Sequence, residues 1–78
     1  MILAYTLIRV KTNRNVETLN KILKTGLVKE AVLVYGEYDL IVETETKSLD
    51  DLDSIIYSSL RTIPEITKTT TLVVANIG

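Results

Sequence analysis

The 78-residue sequence contains no cysteine, histidine, tryptophan or phenylalanine, and only one proline and three glycines. Without cysteine there can be no disulfide scaffold, no thiolate metal site and no cysteine nucleophile. The absence of histidine removes the commonest metal ligand and the commonest general base near neutral pH. An RNA-binding sheet with stacking aromatics is also disfavoured, because the only aromatic residues are four scattered tyrosines. The sequence therefore predicts no metal site, no cofactor and no catalytic residues.

The charged residues are nearly balanced, with nine Lys and Arg against ten Asp and Glu, which gives a formal charge of −1. Proteins that bind nucleic acid or anionic membranes normally carry an excess of basic residues. No apolar run approaches the ~20 residues that span a bilayer, and because the sequence starts on a strand-like segment, we expect no secretory leader. We expect one cytoplasmic domain over residues 1–78 that contacts neither nucleic acid nor membrane directly.

The hydrophobic periodicity predicts four strands and two helices in the order β-α-β-β-α-β. The strands are expected at Ile2–Val10, Val28–Tyr35, Leu40–Thr46 and Ile66–Ile77. After a polar connection, the first helix is expected to run from an Asn15 N-cap to about Thr25, and the second from Ser48, in a Ser-x-x-Asp start, to Pro64. Two right-handed crossovers give the α+β, ferredoxin-like fold: both helices lie on one face of an antiparallel sheet with strand order 4-1-3-2.

Two helices cover only one face of such a sheet, so the other face must be considered. If the helices lie over Ala4, Thr6, Ile8, Leu40 and Val42, the uncovered face carries Leu3, Tyr5, Leu7, Ile41, Leu72 and Val74. The reverse assignment exposes an equally apolar face. Either patch can exceed what a soluble monomer usually exposes, so we predict a dimer that forms through the uncovered sheet face.

The segment Gly36-Glu37-Tyr38-Asp39 is the sharpest local feature. As a hairpin turn, it uses glycine for positive φ and aspartate to stabilise the bend. As a recognition loop, it offers free amides near Gly36, an aromatic wall at Tyr38 and the Asp39 carboxylate. That carboxylate can accept hydrogen bonds from a ligand ammonium group or from backbone amides. Local spacing leaves both interpretations open.

The threonine-rich run 67–71 is typical of an ordinary β-strand, because threonine favours strands and tolerates partial exposure. Its alternate hydroxyls at Thr69 and Thr71 point the same way and can also line a polar pocket. The sequence does not separate these two interpretations.

Glu43 and Glu45 also share one strand face. They are a weak candidate for a catalytic carboxylate pair, because solvated strand ends often carry such charges. Arg9 and Lys68 are their predicted cross-strand partners.

The whole chain from residue 2 to residue 76 resembles the effector-binding C-terminal half of the Lrp/AsnC (feast/famine) transcription regulators, often called the RAM domain. The first strand, AYTLIRV, is of the family's type. The segment Val32–Val42 (VLVYGEYDLIV) resembles the family's G-x-Y/F-D hairpin, and Ile63–Val74 (IPEITKTTTLVV) resembles its closing strand. Glu65 stands where glycine commonly follows the family's proline.

This resemblance implies dimers formed by packing two sheets, often rings of dimers, and a small effector, typically an amino acid, bound between dimers near the second hairpin. Carried over by motif, the ligand-binding residues are Gly36, Tyr38, Asp39, Thr69 and Thr71. The family's N-terminal DNA-binding domain has no counterpart in these 78 residues, which resemble the stand-alone RAM proteins.

We therefore expect a non-enzymatic, amino-acid-binding oligomerisation module, acting on transcription through a partner such as a full-length Lrp/AsnC regulator. The main alternative is a small enzyme of the dimeric α+β-barrel type, which shares this topology. A third possibility is a structural oligomer that binds no ligand.

Overall fold

The structure, a computed structural model, describes residues 1–75. Its strands are β1 (Ile2–Val10), β2 (Glu30–Leu33), β3 (Leu40–Thr46) and β4 (Ile66–Val73), and its helices are α1 (Asn15–Lys24) and α2 (Leu49–Ser58), with a 3₁₀ turn at Leu60–Thr62. The strands form one antiparallel sheet in the order β2-β3-β1-β4. This order confirms the ferredoxin-like fold.

The bounds of β2, α2 and β4 differ from the sequence prediction. β2 has only four residues, because the chain leaves the ladder after Leu33 to form the hairpin loop. The second helix ends at Ser58 rather than at the proline, and the following 3₁₀ turn carries the fully buried Leu60 into the core. Of the predicted last strand, residues 74 and 75 lie beyond β4, and residues 76–77 lie outside the described residues.

The two helices begin differently. At α2 the Ser48 side chain accepts a hydrogen bond from the backbone N–H of Asp51 at 3.1 Å, as the capping-box pattern predicts. Asn15 is the first residue of α1 rather than its N-cap, and the cap residue Arg14 makes no side-chain cap bond. The Asn15 side chain instead accepts from the adjacent Val16 N–H at 3.0 Å. The N-cap prediction for Asn15 was therefore wrong.

The core lies between the sheet and the two helices. Its buried apolar residues are Ala4, Ile8, Leu40 and Val42 from the sheet, with Ile22, Leu52, Ile56 and Leu60 from the helical layer. The face assignment that places Ala4, Ile8 and Val42 beneath the helices is therefore correct. The opposite sheet face, called the open face below, is covered by no helix of residues 1–75.

Four threonines are buried with this apolar core: Thr6, Thr18, Thr44 and Thr46. The Thr6 hydroxyl lies 3.1 Å from that of Thr71, and the Thr18 and Thr46 hydroxyls donate to backbone carbonyls. The Thr44 hydroxyl has no hydrogen-bond partner within residues 1–75. A buried polar group without a partner costs free energy.

We expect Thr44→Val to raise the free energy of unfolding by about 1 kcal/mol, because valine has nearly the same shape and removes the unpaired hydroxyl. For a domain of this size, that corresponds to a rise in melting temperature of roughly 4–8 °C. Thr6→Val is the matched control and should lower stability, since it leaves the Thr71 hydroxyl without its partner. A Thr44→Val protein that melts at or below the wild-type temperature would contradict the prediction.

The turn after the 3₁₀ segment is tied to the rest of the fold through Glu65. Its carboxylate lies 2.6 Å from Lys21 Nζ on α1, and its carbonyl accepts from Lys11 N–H at 2.9 Å. The hydrogen bond from Lys21 is the main cause that lowers the pKa of the Glu65 carboxyl below its ordinary value. Glutamate at this position thus connects the turn to α1 and to the end of β1.

Each α-helix has ten residues, a length of about 15 Å at 1.5 Å per residue. Within residues 1–75 neither helix is long and apolar enough to cross a bilayer.

Candidate functional site

The loop that joins β2 to β3 is closed by a hydrogen bond from Val34 N–H to Asp39 C=O at 2.9 Å. It contains the GEYD segment, defined as Gly36–Asp39. Gly36 has φ +120°, a conformation that residues with a Cβ rarely adopt. The predicted positive φ at Gly36 is therefore confirmed. A Cβ built there would touch nothing within 4 Å, so the preference for glycine comes from the backbone.

Asp39 joins this loop to the end of β1. Its N–H donates to Ile8 C=O at 2.8 Å, and its Oδ2 accepts from Val10 N–H at 2.8 Å. The β1–β4 register shifts between Arg9 and Val10, and the carboxylate bonds the backbone at this irregularity. Of the two roles considered from the sequence, the structure shows the one in which Asp39 accepts from a backbone amide.

Arg9 holds the GEYD segment from the side. Its Nε and Nη2 donate to the Glu37 carbonyl at 3.0 and 2.7 Å, and Nη2 lies 3.9 Å from the Glu37 carboxylate. The guanidinium carbon lies 5.7 Å from the centroid of the Tyr38 ring. These contacts fix the loop against the sheet, since the planar guanidinium makes several contacts in one orientation.

Tyr38 turns from the loop onto the open face. Its hydroxyl lies 3.0 Å from the Thr70 hydroxyl on β4, and Lys68 Nζ lies 5.8 Å from its ring centroid. With Arg9 also near the ring, the aromatic side chain lies close to two cations. The loop and the open face are thereby in direct contact.

A surface cleft of about 480 Å³ lies beside the loop, on the side where Asp39 bonds β1. Its lining comes from the end of β1, the β1–α1 connection and the GEYD segment: Arg9, Val10, Lys11, Thr12, Asn13, Asn15, Gly36, Glu37 and Asp39. The lining includes two cationic and two anionic side chains. Such a cleft suits a small zwitterion, because charge-assisted hydrogen bonds can form at both of its ends.

The structure separates the three predicted hairpin residues. Gly36 and Asp39 line the cleft, whereas Tyr38 does not and lies instead against Thr70 on the open face. The predicted aromatic wall is therefore absent from the lining of this cleft.

Thr69 and Thr71 lie on the helix-covered side of the sheet. They pair in register with Ile8 and Thr6, both of which are fully buried. Neither lines the cleft, and the Thr71 hydroxyl is bonded to Thr6. The β4 threonine that meets the GEYD segment is Thr70, which the sequence analysis did not select.

Arg9 and the connection between β1 and α1 also line the cleft, and neither was predicted from the sequence to belong to a site. A signal for both was present: the predicted strand order puts β1 beside β3, so the end of β1 and the start of β3 must meet. The polar connection after β1 therefore had to lie next to the GEYD segment. No group of histidine, cysteine, aspartate and glutamate that could hold a metal ion occurs in the described part of the chain.

Comparison with known proteins shows the family to which the chain belongs. A family model described as the Lrp/AsnC ligand binding domain matches residues 3–77. The chain belongs to this family. It is 31% identical over 72 residues to the HTH-type transcriptional regulator FL11 of Pyrococcus abyssi, a match that covers 92% of this chain and 47% of FL11. The chain thus spans about half the length of this curated relative.

Several solved structures share the fold. The crystal structure of FFRP-DM1 matches with a TM-score of 0.90 and 43% identity, covering 96% of this chain and 100% of FFRP-DM1. Escherichia coli AsnC matches with a TM-score of 0.90 and 26% identity, over 96% of this chain and 51% of AsnC. At 12% identity, a Neisseria meningitidis transcriptional regulator solved as its L-methionine complex shares the fold, with a TM-score of 0.85 over 97% of this chain and 51% of the regulator.

Proposed function

We propose that this chain is a non-enzymatic, cytoplasmic amino-acid-binding and oligomerisation module that modulates transcription through partner regulators. The observation that carries the proposal is the cleft at the GEYD segment, where side chains of both charges surround a space of about 480 Å³. Family membership supports a ligand-binding role, and the regulator solved with L-methionine supports an amino acid as the ligand.

In this proposal the cleft binds the two charged ends of the effector. The Asp39 carboxylate, held in place by the Val10 N–H, receives the ammonium group. The cationic side chains of Arg9 and Lys11 attract the carboxylate. Because Arg9 and Asp39 already fix the loop to β1, the site is preorganised and little ordering is required on binding.

The cleft is open to solvent, so a second dimer can supply the other side of the effector site. An effector bound across two dimers stabilises the assembly that provides both halves, which is a population shift among oligomers. The dimer itself is proposed to form through the open face, where Leu72, Val74 and Val32 are 54%, 45% and 42% exposed.

Action on DNA is proposed to be indirect, through mixed assembly with a full-length Lrp/AsnC regulator. The near-neutral charge of the chain gives little general attraction to phosphates. No catalytic role is proposed for Glu43 and Glu45, because both carboxylates lie within 3.5 Å of Lys29 Nζ.

The test is a thermal-shift screen with the twenty L-amino acids, with L-methionine as the first probe. A ligand at 100 times its dissociation constant should add about 2.7 kcal/mol to the free energy of unfolding, and hence several degrees to the melting temperature. If none of the twenty raises the melting temperature at millimolar concentration, the amino-acid proposal is wrong. Tight, specific retardation of DNA by the isolated protein at physiological salt would contradict the indirect action.

A further inference from the structure

One corner of the open face is basic. Arg9 and Lys68 are paired directly opposite each other on β1 and β4, and both lie near the same Tyr38 ring. Like charges placed directly opposite across two strands are unfavourable. We call this pair the basic corner. The neighbouring Glu37 carboxylate, 3.9 Å from Arg9, compensates only part of its charge.

The diagonally opposite corner is acidic. Glu30 on β2 is paired directly opposite Glu43 on β3, and Glu45 follows two residues along the same face. We call these three residues the acidic corner. Lys29 is its one nearby cation among residues 1–75, 3.5 Å from Glu43 and 3.4 Å from Glu45. The carboxylates of Glu45 and then Glu43 raise the pKa of Lys29 above its ordinary value, a sign of the negative potential there.

An apolar band separates the two corners. By strand register it runs diagonally across all four strands, through Val74 and Leu3, then Leu72 and Tyr5, then Leu7 and Ile41, to Val32. A hollow of about 150 Å³ lies where the band meets the acidic corner, with Glu30 and Glu43 in its lining. The open face is thus a diagonal apolar band with opposite charges on its two sides.

This pattern is self-complementary. When two identical faces pack together, the two-fold axis lies in the plane between them. A residue on one side of this axis then contacts the residues of the partner that, within their own subunit, lie at the same distance on the other side. An axis along the apolar band puts apolar residues on apolar residues and each basic corner on an acidic corner. A two-fold axis perpendicular to the strands would not bring these corners together.

We propose that a second copy of this chain docks on the open face with its two-fold axis along the apolar band, so that the partner's Arg9 and the partner's Lys68 lie against Glu30 and Glu43. The proposal rests on the dimer of the proposed function and adds its orientation and its specificity. Each subunit then offsets the like-charge pair of the other, and the acidic hollow is completed only by the partner. Charge complementarity of this kind selects partner and register more than it adds affinity.

The experiment uses the charge reversals Glu30→Lys and Lys68→Glu. Each removes one like-charge pair within the subunit, so the isolated subunit should fold at least as well as the wild type. Each also places like charges against each other at both symmetric contacts of the dimer, and the dimer dissociation constant should rise roughly 10-fold or more. Sedimentation equilibrium measures the constants, and circular dichroism confirms the fold.

Mixing the two variants gives the decisive result. In a heterodimer of one Glu30→Lys and one Lys68→Glu subunit, both contacts join opposite charges. The mixture should therefore form heterodimers in preference to either homodimer, as native mass spectrometry can count. Glu17→Lys and Lys24→Glu on the exposed side of α1 are the matched controls and should leave the dimer unchanged.

The outcomes separate the two proposals. Dimers whose dissociation constants are unaffected by either reversal, or mixtures without a heterodimer preference, would overturn the orientation and leave the sheet-to-sheet dimer standing. A wild-type protein that is monomeric at micromolar concentration would overturn both.

Discussion

A Leu7→Asp variant is expected to be a folded monomer under conditions in which the wild-type protein is a dimer. Leu7 lies on β1 between Ile41 and Thr70, near the centre of the open face, and points away from the helices. Two unpaired carboxylates would be buried in each dimer, and each costs several kcal/mol of desolvation. At a total of about 4 kcal/mol or more, the dimer dissociation constant should rise roughly 1000-fold. Light scattering should give a mass near 8.7 kDa.

The folded state of the variant is part of this prediction. The sequence alone allows Leu7 to face either the helices or the partner, and a charge would unfold the subunit in the first case. Since the helix-covered face is occupied by its neighbours Thr6 and Ile8, the circular dichroism spectrum should remain native. Val16→Asp, at a 55% exposed position in the first turn of α1, is the control and should stay dimeric. A Leu7→Asp protein that remains dimeric would show that the copies do not meet through the open face.

The strands that lie at the centre of the sheet were predictable from the sequence almost to the residue. β1 and β3 are long and contribute alternate side chains to the core, and both ends of each follow from the hydrophobic pattern. The edge strand β2 was overpredicted by two residues at each end. Its Val, Leu and Ala content favours a strand, but pairing ends where the hairpin loop begins, and composition carries no information about that point.

The helical boundaries show the limit of reasoning from single residues. Pro64 ends any helix that reaches it, but α2 ends six residues earlier. The fully buried Leu60 is carried by a 3₁₀ turn instead. A proline such as Pro64 limits how far a helix can extend, but packing determines the residue at which the helix ends. At Asn15 the side chain bonds its neighbour's N–H, so an N-cap residue type alone did not establish a cap.

The predicted pairing of the charged residues on the open face was wrong. Arg9 and Lys68 were expected to partner Glu43 and Glu45, but the register places the two cations opposite each other, and Lys29 reaches the two carboxylates. Strand order was available from the sequence, but relative register was not, because it depends on loop lengths and on the irregularity after Arg9. The side-chain direction of Thr69 and Thr71, which were carried over from the family motif, was equally open, and the structure turns both toward the helix-covered side of the sheet.

Asp39→Asn is expected to weaken amino-acid binding strongly while leaving the fold intact. The Asn Oδ1 can still accept the hydrogen bond from Val10 N–H, so the hairpin and its contact with β1 should be retained. Only the negative charge is lost. A charge-assisted hydrogen bond to an ammonium group contributes about 1.5–3 kcal/mol, so the affinity for the amino acid that the screen identifies should fall roughly 10- to 150-fold by calorimetric titration.

Asp39→Ala is the companion variant, which tests the hydrogen bond to the backbone together with the proposed contact to the ligand. It removes both the charge and the acceptor, which leaves the Val10 N–H without its partner and should lower the free energy of unfolding by about 1–3 kcal/mol. In chemical denaturation the Asp39→Asn protein should therefore behave like the wild type. In ligand titration it should behave like the Asp39→Ala protein. If asparagine binds the amino acid as tightly as aspartate does, the carboxylate serves the backbone of β1 alone, and the ammonium group of the effector must be bound elsewhere in the cleft. The Glu37 carboxylate, which lines the same cleft and is 71% exposed, is then the group to replace next.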